Sequence, residues 1–322
     1  MVSQRPDWRP AAELSLARAR AALLGQVRAF FAQREVLEVE TPQLAQHCAM
    51  DPYIDSFCAR SPGASPMSGY LQSSPEYHMK RLLAAGYGPI YQVFRAFRGG
   101  EAGRRHNPEF TLLEWYRPDY GLEALMQEVS DLVVTVLGCE PPESCRYRDL
   151  VYARTGLDPM RVPTSDLQKA AADCSGLDPG SLRRDEALDV IMSHRVEPGL
   201  ADQGALFVVD YPPGQAALSR IQLRDGVEVA RRFELYYNGL ELANGYLELR
   251  DADEQSGRFA ADNQLRQSLG RERLTPDSWL LDAMDHGLPE CTGVALGLDR
   301  LLMCQQGVED IRQVLSFPWG RA

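Results

Sequence analysis

Asn238-Gly239 restricts the fold of this chain more than any other feature. The dipeptide sits inside a strand-rich stretch from Val227 to Arg250, with alternating apolar and polar residues on both sides. Both central residues of a tight type I′ turn need positive φ, which Asn and Gly tolerate, so the pattern reads as a two-residue β-hairpin. In that register Tyr237 faces Leu240, Tyr236 faces Glu241, and Phe233 to Glu234 lie across from Ala243 to Asn244. Glu234 and Glu241 then share a face as diagonal neighbours, roughly 7–8 Å apart at the backbone. Two carboxylates so placed repel unless a cation lies between them. Magnesium takes hard oxygen ligands and shares them with phosphates, so it suits the pair. Salt bridges to Arg231 or Arg232 are the alternative that the hairpin alone leaves open. Asn244, Tyr246 and Glu248 fall on one face, and joining Glu248 to Glu241 requires a one-residue bulge, for which Gly245 is the natural place.

A second strand pair is expected at Ile90 to Arg98 and Phe110 to Arg117, joined by the polar, Gly-rich loop Gly99 to Pro108. Alternation puts Phe110, Leu112, Glu114 and Tyr116 on one face. A carboxylate, a phenol and an aromatic ring there would suit an ammonium group, although a half-buried strand with an incidental Glu is the plainer reading. Around these strands, helices are expected at Ala11 to Arg34, Tyr77 to Ala85 (after the turn Ser74-Pro75-Glu76) and Leu122 to Leu137, the last closed by Gly138. Two more follow near Asp253 to Leu269 and Pro276 to His286, and Gly293 to Arg300 runs from a strand into a final helix. Glu35 to Pro42 reads as an edge strand stopped by proline. The Pro- and Gly-rich stretch 139–204 reads as an insertion carrying two helices within a single domain spanning 1–322. Hairpin-paired strands with helices between them give an α+β fold around an antiparallel sheet.

Composition removes other classes. The chain has 34 Lys and Arg against 45 Asp and Glu, a net charge of -11, which argues against a broad basic surface for nucleic acid. Its seven cysteines are scattered and never spaced C-x-x-C, which argues against a zinc site or a disulfide framework and for a reducing, cytoplasmic setting. No apolar run approaches the ~20 residues that span a bilayer, so no membrane role is expected.

These segments resemble the catalytic domain of lysyl-tRNA synthetases, and more closely the shortened elongation factor P lysine ligases. Glu38-Val-Glu-Thr-Pro42 resembles motif 1 of class II synthetases. Phe97-Arg98 through Arg105-His-Asn-Pro-Glu-Phe110 resembles motif 2, and Gly293 to Arg300 resembles motif 3. Ser74-Pro-Glu-Tyr-His-Met-Lys-Arg-Leu82 and Glu241-Leu-Ala-Asn-Gly-Tyr-Leu-Glu248 resemble the lysine branch. The resemblance implies the class II synthetase fold, with an antiparallel sheet flanked by helices. It also implies activation of a lysine-like carboxylate by ATP with Mg2+. Arg98 would bridge the carboxylate and the α-phosphate. Phe110 and Arg300 would sandwich the adenine, with His106, Asn107, Gly99, Gly100, Leu242 and Gly297 near the nucleotide. Glu234 and Glu241 would hold magnesium. Ser74, Pro75, Glu76 and Asn244 would place the amino-acid head, and Glu114, Tyr116 and Glu248 its side-chain ammonium. Ala295 stands where lysyl-tRNA synthetases usually have glycine, and its methyl would reshape the pocket around the substrate amine.

The chain departs from the family in motif 2, where Gly99-Gly100 replaces the usual Asn-Glu and Glu101 could substitute for the missing carboxylate. Motif 1 begins by residue 38, after a single helix, so an anticodon-binding barrel of about five strands is not expected ahead of it. With the acidic charge, this argues against tRNA and for a lysine ε-amine of elongation factor P as the acceptor, with lysine or β-lysine as the donor. The resemblance also implies a homodimer through motif 1. Two other readings stay open: a stand-alone lysyl-tRNA synthetase core, and a paralogue that binds without catalysing.

Overall fold

The computed structural model describes residues 8–63 and 65–322. Two compact units share the chain. The first comprises residues 1–118, 250–289 and 295–322, and the second comprises residues 119–249 and 290–294.

The first unit opens with α1 (Leu14–Ala32) and β1 (Leu37–Glu38). A small sheet follows, made of β2 (Leu44–Ala45), β3 (Cys58–Arg60) and β4 (Ser68–Leu71), with β4 pairing antiparallel to both others. Then come α2 (Glu76–Ala84), β5 (Ile90–Phe97) and β6 (Glu109–Pro118). β5 and β6 form the expected antiparallel pair, from Ile90 opposite Tyr116 to Phe97 opposite Glu109. β1 adds in parallel beside β5, as the edge-strand reading anticipated. The spacing of Leu23, Val27, Phe30 and Phe31 gives α1 one apolar stripe, and all four are buried. Phe31 stacks on Tyr91 at 4.3 Å and meets Trp115 edge-on, so α1 covers the face carrying Tyr91 and Trp115. The opposite face carries Phe110, Leu112, Glu114 and Tyr116.

The second unit holds α3 (Leu122–Leu137), β7 (Glu143–Arg146), α4 (Tyr147–Thr155), α5 (Thr164–Ser175), α6 (Arg184–Ile191) and β8 (Ala205–Tyr211). It continues through β9 (Ile221–Arg224), β10 (Val227–Tyr237) and β11 (Leu240–Leu247). The stretch 139–204 thus has three α-helices where two were expected, the last continued by a π-turn at Met192–Val196. α5 is capped at Gly176 and α6 begins only eight residues later, at Arg184, so the short polar link between them is hard to see in the sequence. These helices bury Leu150, Val151, Leu167, Leu188 and Ile191 against Leu206, Val208 and Tyr236 of the sheet, so the stretch shares one core with β8 and β10. β10 pairs antiparallel with β8, β9 and β11, while β7 lies parallel to β8. Asn238 and Gly239 take φ of 48° and 74°, the turn that the sequence demanded.

The chain then returns to the first unit with α7 (Ala252–Ser268) and α8 (Ser278–Gly287). β12 (Cys291–Gly297) leads straight into α9 (Leu298–Gln306), the strand-to-helix passage expected of motif 3. All seven cysteines are free thiols, and among the described residues no helix is long and apolar enough to cross a membrane.

Candidate active site

In the first unit, Arg98 follows β5 directly and its backbone N–H donates to Pro108 O at 2.9 Å, closing the loop between β5 and β6. The guanidinium carbon lies 5.0 Å from the centre of the Phe110 ring, and Nε is buried without a hydrogen-bond partner. A buried donor left unmet costs roughly 1–3 kcal/mol. The two glycines after Arg98 have backbone reasons to be there. Gly99 N–H donates to Asp55 O at 2.6 Å, and a Cβ on Gly99 would stand 3.0 Å from that oxygen. Gly100 has φ of +78°, which a side chain would strain. At Gly99 the departure is therefore tied to a tight contact with Asp55, and at Gly100 to the left-handed backbone.

Two further loop residues make defined contacts. The Asn107 amide is used up within the protein, since Oδ1 accepts from Trp319 N at 2.8 Å and Nδ2 donates to Glu109 O at 2.6 Å. Arg300, on the first turn of α9, meets His106 Nε2 through Nη2 at 2.8 Å. Burial first, and then the Arg300 charge, pushes the His106 pKa down, so the ring stays neutral and accepts from the guanidinium. Glu101 pulls the other way on His106, which places its charge within reach of the ring. Gly297 caps the start of α9, and Ala295 is half-buried two residues earlier on β12.

The strand face carrying Glu114 is occupied as alternation predicted. Glu114 is 3% exposed; Tyr116 O–H donates to Oε1 at 2.8 Å and Ser74 O–H to Oε2 at 2.8 Å. Ser74 Oγ also accepts from Glu76 N–H at 3.0 Å, so the turn through Pro75 ties the start of α2 to β6. Glu76 itself receives the Lys80 ammonium at 2.7 Å, one helical turn on. Sequence reasoning missed Lys80, although a Glu followed four residues later by Lys is the visible signal of such a pair.

In the second unit, the hairpin register matches the expectation near the turn and then departs from it. Tyr237 faces Leu240 and Tyr236 faces Glu241, but Leu235 faces Ala243 and Glu234 faces Asn244. The extra residue is Leu242, so the bulge needed to bring Glu248 onto the face of Glu241 lies there and not at Gly245. Gly245 has a different duty. It sits opposite Phe233, and a Cβ on it would stand 2.5 Å from Phe233 Cε1 and 3.1 Å from Val294 Cβ. Leu242 is buried and apolar, so nothing in its residue type advertised a bulge.

The shift places Glu234, Glu241, Asn244 and Glu248 on one face. Glu234 is held by three donors: Arg232 Nη2 on Oε1, with Tyr211 and Tyr236 hydroxyls each at 2.7 Å on Oε2. The Arg232 ion pair is the alternative that the hairpin had left open. Burial, opposed by Arg232 and reinforced by Glu241, holds the Glu234 carboxyl above the usual carboxylate range. Arg232 also donates to Gln215 O at 2.8 Å and lies 4.4 Å from the Tyr211 ring centre. Asn244 Oδ1 is buried with no hydrogen-bond partner. Glu248 is 1% exposed, and its backbone N–H donates to Cys291 O at 3.1 Å.

No group of three or more His, Cys, Asp or Glu among the described residues is arranged to hold a metal by itself. Magnesium on a nucleotide needs only one or two protein carboxylates, because phosphates and water supply the rest. Glu241 and Glu234 are the two carboxylates on that face, and both oxygens of Glu234 already accept from its three donors, so a cation there would share them.

Residues 7–321 match the family described as tRNA synthetases class II (D, K and N). The chain is 44% identical over 326 aligned positions to a Yersinia enterocolitica protein named elongation factor P--(R)-beta-lysine ligase, covering 100% of both. It is 45% identical to the protein of the same name from Salmonella paratyphi B, and 45% to that from Salmonella schwarzengrund, again over the full length of both.

Proposed function

Since the chain belongs to the class II tRNA synthetases of the D, K and N type, we propose that it activates (R)-β-lysine with ATP and transfers it to a lysine ε-amine of elongation factor P. The observation that carries the choice of a lysine-like substrate is the buried Glu114 carboxylate, oriented by Ser74 and Tyr116. An ammonium taken out of water needs such a partner, because an unpaired buried ion costs several kcal/mol. The full-length likeness to proteins named as elongation factor P ligases supports the acceptor.

In this reading the substrate carboxylate attacks the α-phosphorus in line and pyrophosphate leaves, giving the aminoacyl-adenylate. The acceptor amine then attacks the acyl carbon and AMP leaves. The protein contributes position and charge more than covalent chemistry. Arg98 stabilises the charge developing between carboxylate and α-phosphate, its unmet Nε supplying one donor. Phe110 and Arg300 take the two faces of the adenine. Glu241 and Glu234 would hold magnesium, whose charge would offset that of the phosphates. Asn244 accepts from the substrate amine, and Glu114 with Tyr116 takes the ammonium. A cytosolic site of action and a homodimer complete the proposal, the latter testable by light scattering.

The experiment is pyrophosphate exchange with (R)-β-lysine and with α-lysine, followed by intact-mass measurement of elongation factor P incubated with enzyme and ATP. Exchange with a lysine and a single β-lysyl addition to the factor are expected. Exchange followed by charging of tRNA, with the factor unmodified, would overturn the acceptor.

A further inference from the structure

Phe110 and Arg300 come from distant parts of the chain, yet the residue after one is bonded to the residue before the other. Asp299 is 2% exposed, and its Oδ2 accepts the backbone N–H of Thr111 at 2.7 Å. A strand N–H would ordinarily go to a neighbouring carbonyl; here a carboxylate from the first turn of α9 takes it. The other oxygen, Oδ1, receives Arg20 Nη2 from α1. The same nitrogen of Arg20 also donates to Val314 O at 3.1 Å, and Nη1 reaches Thr111 Oγ1 at 3.5 Å. One buried carboxylate therefore joins β6, α1 and α9, with the segment after α9 tied in through Arg20.

We infer that Asp299, braced by Arg20, is a positioning residue that sets the gap between the Phe110 ring and the Arg300 guanidinium, and so sets affinity for the nucleotide base. This rests on the reading that Phe110 and Arg300 take the adenine. A flat heteroaromatic base is gripped well only when the two surfaces stand at stacking distance, and each surface is one residue from the Thr111–Asp299 bond. Arg300 also reaches Arg105 O at 3.4 Å and His106. Both run through the loop between β5 and β6 rather than through the strand. Charge is part of the device, because the carboxylate offers acceptors on both sides. An amide of the same shape would turn an N–H toward either Thr111 N–H or the guanidinium.

The test uses the intact enzyme. Asp299→Asn should raise KM for ATP at least tenfold, leave kcat at saturating ATP within about threefold, and leave KM for (R)-β-lysine unchanged. Binding of a non-hydrolysable ATP analogue, measured by calorimetry, should weaken by the same factor. Arg20→Ala, at a partly exposed side chain, should give a smaller rise of about three- to fivefold in the same constant, and it decides the question if Asp299→Asn does not fold. An unchanged affinity for the analogue, or equal losses for ATP and β-lysine, would overturn the inference. Phe110→Ala and Arg300→Ala separate the two layers of argument. If neither weakens analogue binding, the adenine reading fails; if both do and the Asp299 and Arg20 variants do not, the positioning role fails.

Discussion

Gly245→Ala tests whether the second unit's hairpin is built as described. Its added methyl would stand 2.5 Å from Phe233 Cε1, where ordinary carbon contacts need 3.4 Å or more. The ring cannot swing away, because Phe233 is 0% exposed and lies edge-on to Phe207 at 5.3 Å. Overpacking of this kind costs about 1–3 kcal/mol, while replacing Gly by Ala in a strand returns about 0.5–1 kcal/mol. The net expectation is a loss of about 1–2 kcal/mol. Phe233→Leu removes the atoms that collide, so in that background Gly245→Ala should be neutral or stabilising. The coupling between the two positions should therefore equal the overpacking cost, about 1–3 kcal/mol, measured by urea denaturation of the wild type, both single variants and the double variant. Additive effects would refute the packing role, as would a Gly245→Ala variant as stable as wild type. Because Asn244 precedes Gly245, the single variant should also weaken amino-acid binding, and Phe233→Leu should restore part of it.

Other substitutions test separate parts of the site. Glu114→Gln keeps the size of the side chain and can still serve Ser74 and Tyr116, but it removes the charge. KM for the amino acid should rise by roughly two to three orders of magnitude, with KM for ATP little changed, in a pyrophosphate-exchange assay. Arg98→Ala should lower the exchange rate at least ~100-fold while leaving the melting temperature near that of wild type. Burial and the neighbouring Asp51 carboxylate raise Asp262 from 3.8 to about 6. The folded state thus binds this proton more tightly than the unfolded chain, so its contribution to stability declines as pH rises from about 4 through 6. Asp262→Asn should therefore melt with wild type near pH 4 and a few degrees above it at pH 7.5, and thermal scans at the two pH values check this.

Local rules carried much of the fold. The Asn238-Gly239 turn, the faces of the strand through Glu114 and the apolar stripe of the first helix were all readable, because each depends on residues within a few positions of one another. Near the turn the register was also right, and it failed only beyond Leu242. A bulge at an ordinary buried leucine has no signature of its own, whereas Gly245 looked like the place for one and in fact makes room for Phe233. The candidate site divides the same way. Ser74, Glu114 and Tyr116 meet as alternation and the turn suggested. The Arg232 contact to Glu234 was visible as a possibility, but the Tyr211 hydroxyl was not, because it comes from another strand. Asp299 was the least legible of all: its partners Thr111 and Arg20 lie 188 and 279 residues away in sequence. Nothing near Gly99-Gly100 announced that Asp55 would press against that backbone.

The central claim, activation of a lysine-like amino acid, is tested most directly by ATP–pyrophosphate exchange on the purified wild-type chain with (R)-β-lysine, α-lysine and leucine in parallel. Exchange should depend on magnesium and should be seen with β-lysine, more weakly with α-lysine and not with leucine, whose side chain brings no ammonium to Glu114. Exchange with none of the three, or equal exchange with leucine, would contradict it.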